Sequence, residues 1–173
     1  MTTRTLVGCL SIIALSVTFL QQAQAQRPLP KVDVKDMSGK SIDLSTQKNE
    51  GKPLILFAWE ISCQPCITEF NAISKLYKDW KTETGVRIIA VSVDESRNSM
   101  RVPSFVRSKG WDFDFFLDPT QAFKRAMNVT QCPYVYVLDQ KGEVAWQKAS
   151  YTPGDEYVIY DVVKKISKGE KIN

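Results

Sequence analysis

The segment Phe57-Ala58-Trp59-Glu60-Ile61-Ser62-Cys63-Gln64-Pro65-Cys66 sits where one residue pattern gives way to another. Upstream, Pro53 opens the unbroken apolar run Leu54–Trp59, which predicts a strand buried on both faces. Downstream, Ile67, Phe70, Ile73, Leu76, Tyr77 and Trp80 recur at spacings of three and four, which predicts an amphipathic helix from about Cys66 that ends before Gly85. The cysteines therefore fall at a strand-to-helix junction. Two cysteines three apart at a helix start can bond within the first turn. The free backbone N–H groups and the positive dipole end there stabilise a thiolate. Cys63 is thus the expected nucleophile, and Cys66, one turn deeper, the thiol that resolves a mixed disulfide. Pro65 suits the first helical turn, where its missing N–H costs nothing.

Working outward, Val32 and Val34, then Ile42 and Leu44, alternate with polar residues around Ser38-Gly39-Lys40, so a β-hairpin is expected. Val86–Val93 reads as a second buried strand. A helix around Ser99–Lys109 follows, with Pro103 tolerable in its first turn. Phe113–Leu117 is a short strand. Asp118-Pro119-Thr120-Gln121 then supplies an N-cap, a proline at the first helical position and a capping-box partner for a helix to about Met127. Tyr134–Leu138 turns at Asp139–Gly142 into Glu143–Lys148. Thr152-Pro153-Gly154-Asp155 starts a final helix to about Lys168. The resulting class is α/β, a mixed central sheet with helices on both faces.

The composition limits the chemistry. The 173 residues carry 23 Lys+Arg, 19 Asp+Glu and no histidine. That excludes Ser–His–Asp and Cys–His catalysis and histidine-ligated metals. The small basic excess is spread along the chain, so no nucleic-acid partner is expected. No cofactor is expected either. Residues 1–25 combine Arg4, an apolar stretch from Leu6 to Leu20 and Ala23-Gln24-Ala25, the pattern of a signal peptide cleaved after Ala25. The domain then spans residues 26–173, exported and periplasmic. Membrane anchoring through residues 6–20 is the alternative. Leu6-Val7-Gly8-Cys9 looks like a lipoprotein box, but most of the apolar stretch follows the cysteine instead of preceding it.

A structural disulfide is the plain alternative for an exported cysteine pair, yet so short a loop removes little chain entropy. A structural zinc site would need a second pair or histidines.

The Phe57–Cys66 segment resembles the active site of the thioredoxin superfamily, and more closely that of its exported, TlpA-like thiol–disulfide oxidoreductases. The resemblance runs from about Val32 to Lys168. It includes the leading hairpin, Gly51-Lys52-Pro53 before the central strand, Trp59 four residues before Cys63, and a central αβ insertion. It also includes the loop Thr130-Gln131-Cys132-Pro133. It implies a thioredoxin-like fold in which Pro133 is cis and packs against the cysteine pair, with the preceding residue hydrogen-bonding extended substrate. It further implies a reductase, supplied by a membrane-embedded thiol donor and acting on exported proteins with cysteine pairs or disulfides, such as apocytochromes.

The chain departs from the family at several places. Ser62 stands where a Trp is common and could cap the helix. Phe57 stands where thioredoxin has a buried Asp that handles the resolving thiol's proton. Glu69, three residues after Cys66, matches an acidic residue of the TlpA-like branch and is the expected replacement; otherwise it is an ordinary solvated carboxylate. Cys132 stands where the family has Thr, Ser, Val or Ile. It either fills a buried spot, tunes or exchanges with the active pair, or completes a three-thiolate site for Cu(I) with Cys63 and Cys66. That last reading, a soft-metal chaperone, is the alternative function. A peroxiredoxin-type peroxidase is disfavoured, because no Pro-x-x-x-Thr-x-x-Cys segment occurs.

Overall fold

The computed structural model describes residues 27–170 and 172. The expected signal segment 1–25, the apolar stretch 6–20 and Cys9 lie outside the described residues. The strands are β1 (Asp33–Lys35), β2 (Ser41–Asp43), β3 (Leu54–Trp59), β4 (Arg87–Ser92), β5 (Asp114–Leu117), β6 (Tyr134–Leu138) and β7 (Val144–Ala149). The helices are α1 (Gln64–Thr84), α2 (Ser96–Ser99), α3 (Val102–Lys109), α4 (Ala122–Ala126) and α5 (Asp155–Ser167).

The seven strands form one sheet in the order β2-β1-β5-β4-β3-β6-β7. β3 lies parallel to β4 and antiparallel to β6, and β4 is parallel to β5, so the sheet is mixed. Every β3 residue is buried. Because side chains alternate across a strand, the run divides between two cores. Ile55, Phe57 and Trp59 pack with Phe70 and Ile73 of α1, Val102 and Val106 of α3, and Ile159 and Val163 of α5. Leu54, Leu56 and Ala58 pack on the other face with Val34, Leu44, Phe123 and Tyr136. The continuous apolar run is thus the signature of a central strand covered on both sides.

Phe70 is the hub of the first core. Its ring meets Phe57, Trp59, Trp111 and Phe113 edge-on, with centroids 5.1–5.6 Å away. Phe70→Ala is therefore expected to lower stability by about 3–5 kcal/mol, read as a fall in the urea midpoint. A loss under about 1 kcal/mol would mean the aromatic cluster is not packed in this way.

Three local expectations need correction. The helix expected over Ser99–Lys109 is two helices, α2 and α3, separated at Met100–Arg101. Pro103 sits in the first turn of α3, where its missing N–H is tolerated. α4 begins at Ala122, not at Pro119, and its N-cap is Gln121 in the left-handed region with φ 60°. The capping box is diverted by a long-range bond: Gln121 Nε2 donates to Val93 O at 2.7 Å, across 28 residues. Asp118 still serves the helix, but further in, by accepting from Lys124 N at 2.9 Å. Finally, α1 begins at Gln64 and its N-cap is Cys63, so Ser62 does not cap it.

Candidate active site

The site is built where β3 stops. After Trp59, the chain turns through Glu60-Ile61-Ser62, and Cys63 N donates to Glu60 O at 3.0 Å. Asp94, just beyond β4, reaches across to this turn. Its Oδ2 accepts from Ile61 N at 3.0 Å and from Ser92 Oγ at 2.8 Å. Val93 N also donates to Trp59 O at 2.9 Å, so the end of β3 and its turn are held from β4 at two points.

Cys63 and Cys66 form a disulfide with Cα atoms 5.3 Å apart. The two sulfurs differ in setting. Cys66 is fully buried, whereas Cys63 is half-exposed. Cys63 Sγ accepts from Cys66 N at 3.2 Å, in the place a serine or aspartate oxygen occupies at other helix starts. An amide aimed at that sulfur favours negative charge on it once the pair is reduced. Gln64 and Pro65 are exposed in the first turn of α1. Trp59 shares the first core with Cys66, in edge contact with Phe70, Trp111 and Phe115, and its buried indole N–H has no partner among the described residues.

Glu69 is the buried acid of this region. It is 1% exposed, and its Oε2 lacks a hydrogen-bond partner among the described residues. Burial, reinforced by the nearby Asp155 and Glu156 charges and opposed by Lys148, pushes its carboxyl up to about 8. The solvated-surface reading of Glu69 is therefore overturned by its burial. Around it, Lys148 pairs with Asp155, and Glu156 Oε2 accepts from Tyr151 Oη and Gly154 N, each at 2.9 Å. Phe57, by contrast, is wholly inside the aromatic core. β3 carries no acid in this core; the buried acid lies on α1, three residues after Cys66.

Pro133 immediately precedes β6, and the Cys132–Pro133 bond is cis. Its carbonyl accepts from Ser150 N at 2.8 Å, and Tyr134 pairs with Ala58. This puts the loop at the same end of the sheet as the β3–α1 turn. Cys132 is the free cysteine of the described residues and is half-buried, touching both cores. Burial, with the Glu60 and Asp94 charges added and Lys124 opposing, pushes its thiol up to about 12. It remains protonated near neutral pH, which does not suit a fast exchange partner. No three-ligand metal cluster occurs among the described residues.

Asp94 was not legible from sequence. Its partner Ile61 lies 33 residues away, and the signal it leaves is an acid closing the buried run Ile88–Val93.

The AhpC/TSA family pattern matches residues 25–147. Thiol-disulfide oxidoreductase ResA of Bacillus subtilis is 33% identical over 141 residues, covering 82% of this chain and 75% of that protein. A thioredoxin-like protein from Porphyromonas gingivalis, solved in solution, superposes with a TM-score of 0.73 at 38% identity, covering 81% of this chain and 92% of that one. Peroxiredoxin Q of Xanthomonas campestris, at 17% identity and a TM-score of 0.67 over 83% of this chain and 98% of its own, shares the fold alone. With its mixed sheet, its cysteine pair at the start of α1 and these relatives, the chain belongs to the AhpC/TSA family, as a thioredoxin-fold thiol–disulfide oxidoreductase.

Proposed function

We propose that this protein is an exported, periplasmic reductase of protein disulfides, working through Cys63 and Cys66. The Cys63 thiolate attacks a disulfide in a partner, forming a mixed disulfide and releasing one partner thiolate. Cys66 then attacks Cys63 Sγ, freeing the second partner thiol and leaving the Cys63–Cys66 disulfide. A membrane-embedded thiol donor restores the dithiol, and exported proteins with cysteine pairs, apocytochromes among them, are the substrates. Trp59, Gln64 and Pro65 support the pair. Glu69 exchanges the proton of Cys66. Cys132 and Pro133 form the loop that receives extended substrate.

One observation carries the reading: the half-exposed Cys63 sulfur receives an amide at the helix start while Cys66 is fully buried behind it. Alkylation of the reduced protein against pH is expected to show one fast thiol, titrating below an ordinary cysteine and mapping to Cys63. Cys66→Ala is expected to trap mixed disulfides with partners. Fast labelling at Cys66, or equal trapping by Cys63→Ala, would reverse the roles. The N-terminal sequence of the protein secreted from cells, expected to begin at Gln26, tests export and cleavage.

The soft-metal reading gains no support from this geometry, in which Cys63 and Cys66 are bonded to each other.

A further inference from the structure

We propose that Asp94 is a positioning residue of the redox centre: its carboxylate both holds the turn that presents Cys63 and, through its negative charge, makes the Cys63–Cys66 pair more reducing. This deepens the reductase reading and rests on it for direction, though the measured quantity does not.

Asp94 is 3% exposed. Its Oδ2 takes the Ile61 N–H, two residues before Cys63, inside the turn closed by Cys63 N and Glu60 O. The same oxygen takes the Ser92 hydroxyl, while Ser92 Oγ accepts from Asp94 N at 3.3 Å. The side chain is thereby fixed by its own strand and aimed at the active-site turn. No cation lies within ion-pair distance of it among the described residues, whereas Glu60 in the same turn has Lys124 at 3.8 Å. Asp94 thus brings a negative charge, paired only by hydrogen bonds, to a site whose chemistry creates another.

The couple takes up two electrons: the Cys63–Cys66 S–S bond breaks, Cys66 gains a proton, and Cys63 gains one or stays a thiolate according to pH. A nearby negative charge disfavours the thiolate and so the reduced form, which lowers the potential. Among the described residues, the other charged or titratable groups facing this turn are Glu60, Lys124 of α4 and Cys132 before Pro133. Asp94 and Glu60 act on Cys132 in the same sense, and Lys124 opposes them.

The test is the equilibrium of purified protein with glutathione redox buffers, read by alkylation, together with the pH titration of Cys63. Asp94→Asn keeps an acceptor for Ile61 N and removes the charge. It is expected to move the equilibrium about tenfold toward the dithiol, which is about 30 mV for this couple, and to lower the Cys63 titration. Asp94→Ala also loses the bond, and is expected to shift the equilibrium in the same direction and, unlike Asp94→Asn, to slow reduction of a model disulfide. Ser92→Ala removes one donor to the oxygen and leaves the charge, so its potential should stay within twofold of wild type. An Asp94→Asn potential and Cys63 titration within twofold of wild type would overturn the electrostatic role. Equal reduction rates for Asp94→Asn and Asp94→Ala would overturn the positioning role. If the reductase reading fails because Cys66 is the fast thiol, the potential shift on Asp94→Asn is still measurable, so the two failures are distinct.

Discussion

Cys63→Ala is expected to abolish disulfide exchange while leaving the fold in place. A covalent nucleophile has no substitute at this site: Cys66 is fully buried, and the Cys132 thiol keeps its proton at neutral pH because burial pushes it up to about 12. Turnover of a protein disulfide should therefore drop by about 10³-fold or more, the scale on which loss of a covalent nucleophile falls. The same variant separates catalysis from stapling. The cysteines are three residues apart, so their bond removes little entropy from the unfolded chain. Unfolding of Cys63→Ala in urea should then cost less than the roughly 2–5 kcal/mol typical of losing a structural disulfide. Full turnover by Cys63→Ala would sink the catalytic assignment. A stability loss at the top of that range would make the bond structural.

The contrast between Cys63 and Glu69 also marks where the sequence could be read and where it could not. The catalytic pair was legible because its chemistry depends on local events: a buried apolar run ends, a helical period begins, and two cysteines fall at the junction. The alternation within Leu54–Trp59 likewise follows from strand geometry alone, and the two cores divide along it. Failures occurred where a distant partner outbid a local one. Gln121 has the spacing of a capping-box residue, yet its amide goes to Val93 O, and α4 starts later than the local pattern implies. Ser62 looks like a cap, but the turn fixed by Asp94 brings Cys63 to that position instead. Glu69 shares the α1 face of Cys66, Ile73 and Tyr77, so the period of the helix allows its burial but does not supply its neighbours. The charged groups around it, Lys148, Asp155 and Glu156, come from β7 and α5, more than half the domain away in sequence, and no periodicity on α1 alone predicts that neighbourhood.

Glu69→Gln is expected to change how both stability and turnover respond to pH. The folded-state carboxyl lies at about 8 against an ordinary 4.5, chiefly through burial. Between those values the folded protein holds a proton that the unfolded chain has released. Stability therefore falls as pH rises through this window, by up to about 1.4 kcal/mol per pH unit, and levels off above pH 8. Glutamine mimics the protonated acid and does not titrate. The variant should match wild type near pH 4.5 and become progressively more stable than it toward pH 8, a difference readable from urea midpoints at the two ends. Catalysis should move the opposite way. An acid poised near neutrality can give a proton to the Cys66 sulfur as it leaves the disulfide, and take one when Cys66 attacks. Glutamine can do neither, so turnover should fall about 10²-fold or more, and the limb of its pH profile belonging to this carboxyl should disappear. A variant whose stability tracks wild type from pH 4.5 to pH 8 would show that Glu69 is not held protonated by burial. A stability curve that changes as expected, with turnover and its pH profile intact, would leave Glu69 a buried acid with no part in proton exchange at Cys66.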